Sequence, residues 1–369
     1  MVLPQTYGAA LLLIVLSMLC WGSWANTFKL AGKWRFELFY YDYSLGVLIA
    51  ATVAALTFGN LGFDGFTFID DLMHAGKRQL FFGGLGGVVF NLANMLLVAA
   101  ISVAGLAVAF PVGIGLALVI GVIWNYLLKP QGNPMLLFGG AAVVVGAIVV
   151  DALAYRALEA GKAAKLPPPT PNPVRNPAPK PGAKAPAKAP SKLVAPQAAR
   201  KVSAKGIVLS LVSGVLMGSF FPLVEMGKTG ELGLGPYSIG FLFALGVFGS
   251  TFVFNLFFMN LPVEGPPVSM FEYFKGTPRQ HLLGIAGGMI WAIGTIANFV
   301  AASAPESIHV GPAISYAVGQ GATMVSALWG LLVWREFAGA GSNVRVLVVV
   351  MLILFLCGLV MVSMAPLYA

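Results

Sequence analysis

The feature that most constrains this chain is its division into two sets of apolar segments by one hydrophilic stretch. About five apolar segments precede residues 155–205 and about five follow them. Each segment has roughly 20 residues, the length that an α-helix needs to cross a bilayer. Because five is an odd number, the second set would enter the membrane in the opposite orientation from the first. The pattern therefore predicts two inverted repeats embedded in a membrane.

The apolar segments predict an all-α integral membrane protein. Residues 1–154 would form the first five-helix repeat and residues 206–369 the second. Between the third and fourth helices, residues 102–105 must form a tight turn inside an apolar run. The predicted helices cover residues 7–28, 38–58, 79–101, 104–127, 134–154, 206–227, 235–259, 281–303, 309–333 and 345–365.

Composition supports the membrane assignment. Hydrophobic residues make up 58% of the chain and charged residues 9%, whereas soluble domains carry about 25% charged residues. The first segment lacks a basic leader and a small-residue cleavage site, so we expect a retained helix and not a signal peptide. Cys20 and Cys357 lie in apolar segments. No Cys or His spacing predicts a metal site.

The net charge of +9 comes from one segment. Residues 155–205 contain 11 Lys or Arg, one Glu and 11 of the 24 prolines. With almost no apolar residues to build a core, this segment is predicted to be a disordered linker with polyproline II character, acting as a spacer or attracted to anionic lipids. It lacks the interleaved aromatics expected of a nucleic-acid surface. Basic residues favour the cytoplasmic side of a membrane, so the linker is expected in the cytoplasm. Both termini would then lie on the outer side of a cell inner (plasma) membrane.

Matching residues in the two sets indicate an internal repeat. The pair Gly86-Gly87 aligns with Gly287-Gly288 at an offset of 201. The same offset carries Phe90 onto Trp291, Asn94 onto Thr295 and Pro111 onto Pro312. The glycines also predict close helix packing, because small residues let membrane helices approach one another.

Polar residues within the third and eighth helices are candidates for substrate binding. Asn91 and Asn94 are three residues apart, as are Thr295 and Asn298, so each pair is expected on one side of its helix. Amides that faced lipid would be costly, so they must face protein or a water-filled cavity. Interhelical hydrogen bonding and binding of an amide- or imide-containing ligand are the two interpretations.

Aromatic residues in the second set could supply a flat binding surface. Trp291 lies near the polar pair of the eighth helix, and Tyr316 and Gln320 are four residues apart on the ninth. Aromatic faces favour planar heterocycles, and helix packing is the alternative. Trp21, Trp24, Tyr40 and Tyr43 are expected to belong partly to interfacial belts; they are all in the first two predicted helices.

Few carboxylates are predicted within the membrane, and such residues mark functional sites. They are Asp42, Asp151 and Glu225. Asp42 and Glu225 are our candidates for proton coupling, with Asp42 favoured because Lys228 lies one turn after Glu225. The alternative for Asp42 is a surface ion pair with Lys33 or Arg35.

Several stretches resemble the ureide permeases of the drug/metabolite transporter superfamily, and we expect a bacterial-type member. The resemblance implies ten helices, a cytosolic central loop and proton-coupled uptake of allantoin, uracil and related oxo-heterocycles. The linker lacks the nucleotide-binding-like motif of the plant proteins, and related sugar permeases share part of the pattern. The matching stretches are Tyr41-Asp42-Tyr43-Ser44, Ala55-Leu56-Thr57-Phe58-Gly59, Gly86-Gly87-Val88-Val89 with Asn94, Asn125-Tyr126, and Leu328-Trp329-Gly330 followed by Glu336.

Together these features predict a secondary transporter for a small polar nitrogenous heterocycle. Its expected partners are that small molecule, protons and membrane lipids, with no cofactor and no metal; the sequence leaves the oligomeric state open. A sugar or drug/metabolite permease, and a non-transporting receptor or scaffold, are the alternatives. An enzyme would need paired acids or a metal cluster, and Asp70-Asp71 lies in a predicted loop without supporting His or Arg pairs.

Overall fold

A computed structural model describes residues 1–62, 65–104, 106–164, 204–262, 265–308 and 310–368. Within these ranges the chain is helical and contains no β-strand. The helices are α1 (Tyr7–Ser23), α2 (Ala25–Ala31), α3 (Phe36–Leu56), α4 (Phe68–His74), α5 (Lys77–Ala104), α6 (Leu106–Leu128), α7 (Pro134–Ala164), α8 (Ala204–Lys228), α9 (Pro236–Asn260), α10 (Pro278–Ala302), α11 (Pro312–Gly319), α12 (Ala322–Leu328) and α13 (Ser342–Met364).

Ten helical spans among the described residues are long and apolar enough to cross a membrane. They confirm the predicted all-α membrane architecture. The first span consists of α1 and α2, and the ninth consists of α11, α12 and a π-helical turn, Trp329–Val333. The short helix α4 and a 3₁₀ turn, Met270–Lys275, each connect two spans.

The structure revises the start of the predicted linker. α7 continues from Pro134 to Ala164, well past residue 154, because the added residues are mostly good helix formers and the proline run begins only at Pro167. At its other end, residues 204–205 of the predicted linker begin α8, and residues 165–203 lie outside the described residues. The tight turn predicted at residues 102–105 is wrong for residues 102–104, which belong to α5, and residue 105 lies outside the described residues.

Alternating spans give the bundle two ends. We call the end where α7 ends and α8 begins the linker end. The start of α3 lies there too, because Arg35 Nη1 donates to the backbone oxygen of Pro266, in the connection between α9 and α10, at 3.3 Å. α8 packs against α5 and α6, α10 packs against α1 and α3, and α9 packs against α3 and α5.

Two contacts between glycine and backbone bring helices of the two sets close together. A Cβ on Gly87 of α5 would collide with the carbonyl oxygen of Phe243 on α9. A Cβ on Gly288 of α10 would collide with the carbonyl oxygen of Tyr43 on α3. Only glycine permits such contacts between helix backbones. In the first contact the glycine comes from the first set of helices and the carbonyl from the second. In the second contact the two sets have the opposite roles.

Candidate functional site

The start of α10 fixes the position of a histidine. The Oγ1 of Thr277 accepts the N–H of Gln280 at 3.3 Å, while the Oε1 of Gln280 accepts the N–H of Thr277 at 2.8 Å. Pro278 occupies the first helical turn, where its missing N–H is harmless. His281 follows in the same turn, so a well-defined helix start positions its ring.

The carboxylate of Asp42 binds two side chains from the second half of the chain. Its Oδ2 lies 2.8 Å from Nδ1 of His281, and its Oδ1 accepts the hydroxyl of Tyr273 at 2.6 Å. Asp42 is 2% exposed. Gly284 makes room for it, because a Cβ at that position would collide with the Cβ of Asp42. These contacts join α3, α10 and the 3₁₀ turn at the linker end.

Two ion pairs lie near this trio. Arg35 pairs with Glu37 at 2.6 Å, and Lys275 pairs with Glu272 at 2.5 Å. Asp42 itself bonds His281 and Tyr273, so the alternative of a surface ion pair with Lys33 or Arg35 is wrong. The α3–α10 contact turns the Asp42 carboxylate toward His281 instead.

Tyr273 remains a hydrogen-bond donor over the ordinary pH range. Burial, and then its bond to Asp42, raise the pKa of the Tyr273 hydroxyl. Trp34 packs on both of the partners of Asp42, with ring centroids 6.3 Å from Tyr273 and 4.9 Å from His281. Trp34 also lines a cavity of about 590 Å³ at the linker end. The trio thus lies directly behind a recess in the surface.

Aromatic rings from five helical elements meet at the middle of the bundle. Trp291 stacks on Phe90 with centroids 4.3 Å apart and lies nearly parallel to Trp21 at 6.3 Å. Phe243 approaches Trp291 to 5.9 Å and Tyr43 approaches it to 6.4 Å. We call this set, with Trp24 at 4.8 Å from Tyr43, the aromatic cluster. It offers several flat faces at the contact between the two sets of helices.

Asn94 joins the edge of this cluster through Tyr40. Its Nδ2 donates to the Tyr40 hydroxyl at 3.0 Å, and the Tyr40 ring stacks on Tyr43 at 4.9 Å. Both tyrosines are 0% exposed. The expectation that Tyr40 and Tyr43 belong to an interfacial belt is therefore wrong. They point into the protein because α10 packs along that face of α3.

Asn91 bonds a different helix from Asn94. Its Nδ2 donates to Ser250 Oγ at 2.7 Å and to Thr251 Oγ1 at 3.2 Å, both on α9. Its Oδ1 is buried and has no partner among the described residues. Asn91 and Asn94 thus lie at the two edges of one helix face, because they are three residues apart. Asn91 contacts α9, and Asn94 contacts α3.

Thr295 and Asn298 both contact α1. The indole N–H of Trp21 donates to Thr295 Oγ1 at 2.9 Å, which places Thr295 beside the aromatic cluster. Asn298 donates to Ser17 Oγ at 3.0 Å and accepts the hydroxyl of Ser315 at 2.8 Å. Asn298 therefore links α10 to α1 and α11, one turn beyond the cluster.

Tyr316 and Gln320 have separate surroundings. The Tyr316 hydroxyl donates to the backbone oxygen of Ala117 at 3.2 Å, and its ring packs against Phe221 at 5.4 Å. Gln320 is the C-terminal cap of α11 and is partly exposed. Tyr316 extends the aromatic packing from the centre toward α6 and α8.

Glu225 lies far from Asp42, near the end opposite the linker. It pairs with Lys228 at 2.7 Å, and the two side chains are 8% and 9% exposed. The one-turn spacing that suggested this pair in the sequence is what forms it. Its lysine partner distinguishes Glu225 from Asp42, which has a tyrosine and a histidine as partners.

Besides the Asp42 trio and the Glu225–Lys228 pair, a third polar group is formed by Glu336 and its partners at the linker end. Glu336 pairs with Lys29 at 2.6 Å and accepts the hydroxyl of Tyr155 at 2.9 Å. Arg335, just before it, has a φ of 50°, which is uncommon for a residue with a side chain. The π-helical turn and the left-handed backbone conformation of Arg335 direct the Glu336 side chain toward α2 and α7.

Sequence reasoning missed His281 and Tyr273 as site residues. One signal was present, because His281 and Gly284 are three apart on a helix whose small residues predict a close approach. Tyr273 gives no such signal. Its position depends on how the connection between α9 and α10 folds onto α3.

Comparisons with known proteins show which families the chain resembles. Residues 39–179 match the ureide permease family. Ureide permease 1 of Arabidopsis thaliana is 25% identical over 96% of each chain, and ureide permease 5 of the same plant is 26% identical over 97% of this chain and 95% of its own. Transmembrane protein 144 homolog B of Dictyostelium discoideum is 27% identical over 39% of this chain and 36% of its own.

A solved crystal structure shares the fold. It is 14% identical, with a TM-score of 0.56 over 96% of both chains. The ten spans and these relatives define the class of protein, a multi-pass membrane transporter. More specifically, the chain is similar over nearly its whole length to the ureide permeases of Arabidopsis thaliana, and part of it matches the model of that family.

Proposed function

We propose that this protein is a proton-coupled secondary transporter for small, neutral, planar nitrogen compounds such as allantoin or uracil. The observation that carries the proposal is the aromatic cluster, where Trp291 and Phe90 stack at 4.3 Å between helices of both sets. Flat aromatic faces suit planar heterocycles. Amide and hydroxyl groups beside them can donate to and accept from ring N–H and carbonyl groups.

A repeat relationship between two helix contacts supports a substrate site at this cluster. Gly87 with Phe243 and Gly288 with Tyr43 are corresponding contacts, since the two glycines are 201 residues apart and the two aromatics 200. Their reciprocity supports two inverted repeats, with α3 and α5 corresponding to α9 and α10. Substrate sites of such proteins lie at the repeat interface near the bilayer midplane.

A cavity offers a route toward the cluster from the linker end. It has a volume of about 290 Å³ and lies between α3, α5 and α9. Phe36 and Met95 line it. Phe36 contacts Tyr40 with centroids 5.2 Å apart, and Met95 follows Asn94 in the chain. Movement of these two side chains would open the cavity toward the Tyr40–Asn94 pair.

Proton coupling is assigned to Asp42 and its partners. An imidazole changes charge within the physiological pH range, so a carboxylate–histidine pair can load and release a proton. Glu225 instead pairs with Lys228 at 2.7 Å and has no histidine partner among the described residues. With the linker end in the cytoplasm and both termini outside, the Asp42 trio would exchange protons with the cytoplasm. The cell inner (plasma) membrane is then the site of uptake.

Uptake into proteoliposomes tests the function. Radiolabelled allantoin, uracil, xanthine and glucose would be supplied with and without an inward proton gradient. The proposal expects accumulation of allantoin or uracil that the gradient increases and a protonophore abolishes. Accumulation of glucose alone would instead favour a sugar permease. No uptake or counterflow of any of the four compounds would contradict the proposal.

A further inference from the structure

We infer that the hydroxyl of Tyr43 is the hydrogen-bond donor by which the site recognises a ring carbonyl of its substrate. The inference rests on the proposed function and adds a specificity-determining residue to it. Tyr43 is 0% exposed, and its hydroxyl has no hydrogen-bond partner among the described residues. A buried polar group normally finds a partner, so one left without a partner calls for a reason.

The hydroxyl of Tyr40 provides a direct comparison with that of Tyr43. Tyr40 is on the same helix, is equally buried, and stacks on Tyr43 at 4.9 Å. Its hydroxyl is bonded to Asn94 at 3.0 Å. This part of the protein can therefore satisfy a tyrosine hydroxyl, and it does so for one residue of the pair only.

The surroundings of Tyr43 fit a planar ligand. Its ring lies 4.8 Å from Trp24 and 6.4 Å from Trp291, which come from the first and eighth spans. Its backbone oxygen is held against Gly288, so the residue cannot move without α10. The hydroxyl is thus placed among aromatic faces by both sets of helices. Any change in the contact between α3 and α10 would also change access to it.

The chemistry points to a carbonyl oxygen as the missing partner. Thr295 Oγ1, a second hydroxyl beside the cluster, already accepts from Trp21 and donates to the backbone oxygen of Trp291 at 3.0 Å, and the Tyr40 hydroxyl accepts from Asn94. Tyr43 is the hydroxyl of this group that has no partner among the described residues, and it can donate to a ligand. Planar compounds with a carbonyl on the ring, such as oxo-pyrimidines and hydantoins, have both a flat face for the aromatic rings and an acceptor for the Tyr43 hydroxyl. A ring without that carbonyl would leave the hydroxyl unpaired.

The test compares Tyr43→Phe with Tyr40→Phe in the purified full-length protein. Two quantities are measured, the Tm without ligand and the Kd for uracil and allantoin. Tyr43→Phe removes an unsatisfied group, so its Tm should equal or exceed that of the parent, while affinity falls by about 10-fold for the loss of one hydrogen bond. Tyr40→Phe strands the Asn94 amide and should lower the Tm.

An analogue of uracil that lacks one ring carbonyl oxygen completes the test. The parent should bind it more weakly than uracil, and Tyr43→Phe should bind the two compounds about equally. Equal affinity of the parent and Tyr43→Phe for uracil and allantoin would overturn the inference, as would a lower Tm with unchanged selectivity. If the parent binds and transports neither uracil nor allantoin, the proposed function itself fails, which the parent protein alone reveals.

Discussion

His281 on α10 lies with its Nδ1 2.8 Å from Oδ2 of Asp42 on α3, although the two residues are 239 positions apart. The contact joins the two sets of helices at the linker end. Tyr273 bonds the other oxygen of the same carboxylate. Any opening between α3 and α10 at this end must break these bonds. The protonation of the pair and the position of the helices are therefore linked.

The buried Glu225–Lys228 pair should support the fold and not the coupling. Glu225→Gln leaves a buried cation without its partner, which costs about 3–5 kcal/mol. We expect a lower Tm but gradient-driven uptake per folded molecule close to that of the parent. The double variant Glu225→Gln/Lys228→Met removes both charges and should recover most of the lost stability. An unchanged Tm in the single variant would contradict a stabilising role for this ion pair.

Asn94 and Asn298 should respond differently to truncation. Asn94→Ala removes an amide at the edge of the aromatic cluster, and an unmet partner costs about 1–3 kcal/mol, so the apparent KM should rise roughly 5- to 150-fold. Asn298→Ala also breaks the links to Ser17 and Ser315, so it should lower the Tm as well. Concentration-dependent uptake and thermal unfolding measure the two effects. Normal KM in both variants would restrict these residues to helix packing.

The contact of Gly288 with Tyr43 should tolerate no side chain. Gly288→Ala places a Cβ against the Tyr43 carbonyl and should force α3 and α10 apart, lowering both Tm and uptake. Gly249→Ala is the matched control, because nothing lies within 4 Å of the Cβ it adds. Alanine is the better helix former by about 0.5–1 kcal/mol, so the control should match or exceed the parent in Tm. Equal Tm values for the two variants would disprove the close contact.

The length of the apolar segments predicted the membrane spans well because spans must satisfy their backbone hydrogen bonds internally. Apolar length alone placed the second span at 38–58, and α3 runs from Phe36 to Leu56. The end of α7 was missed because helix can continue beyond the apolar run, as it does to Ala164. Hydropathy reports where the chain leaves the lipid and not where the helix stops.

The candidate site was only partly predictable. Trp291, Asn94 and Asp42 were singled out because their types are unusual inside a membrane. Their partners were not, since His281 and Tyr273 reach Asp42 only through the packing of α10 and the connection before it. The burial of Tyr43 depends in the same way on Gly288, a contact between helices far apart in the chain.

Proton-driven accumulation by Asp42→Asn tests the central claim most directly. The variant keeps the shape of the side chain but removes the titratable proton, so no proton can be exchanged at this position. In proteoliposomes with an inward proton gradient, we expect the parent to concentrate allantoin or uracil. Asp42→Asn should not concentrate them, yet it should still exchange labelled for unlabelled substrate in counterflow. Gradient-driven accumulation by Asp42→Asn equal to that of the parent would contradict the account.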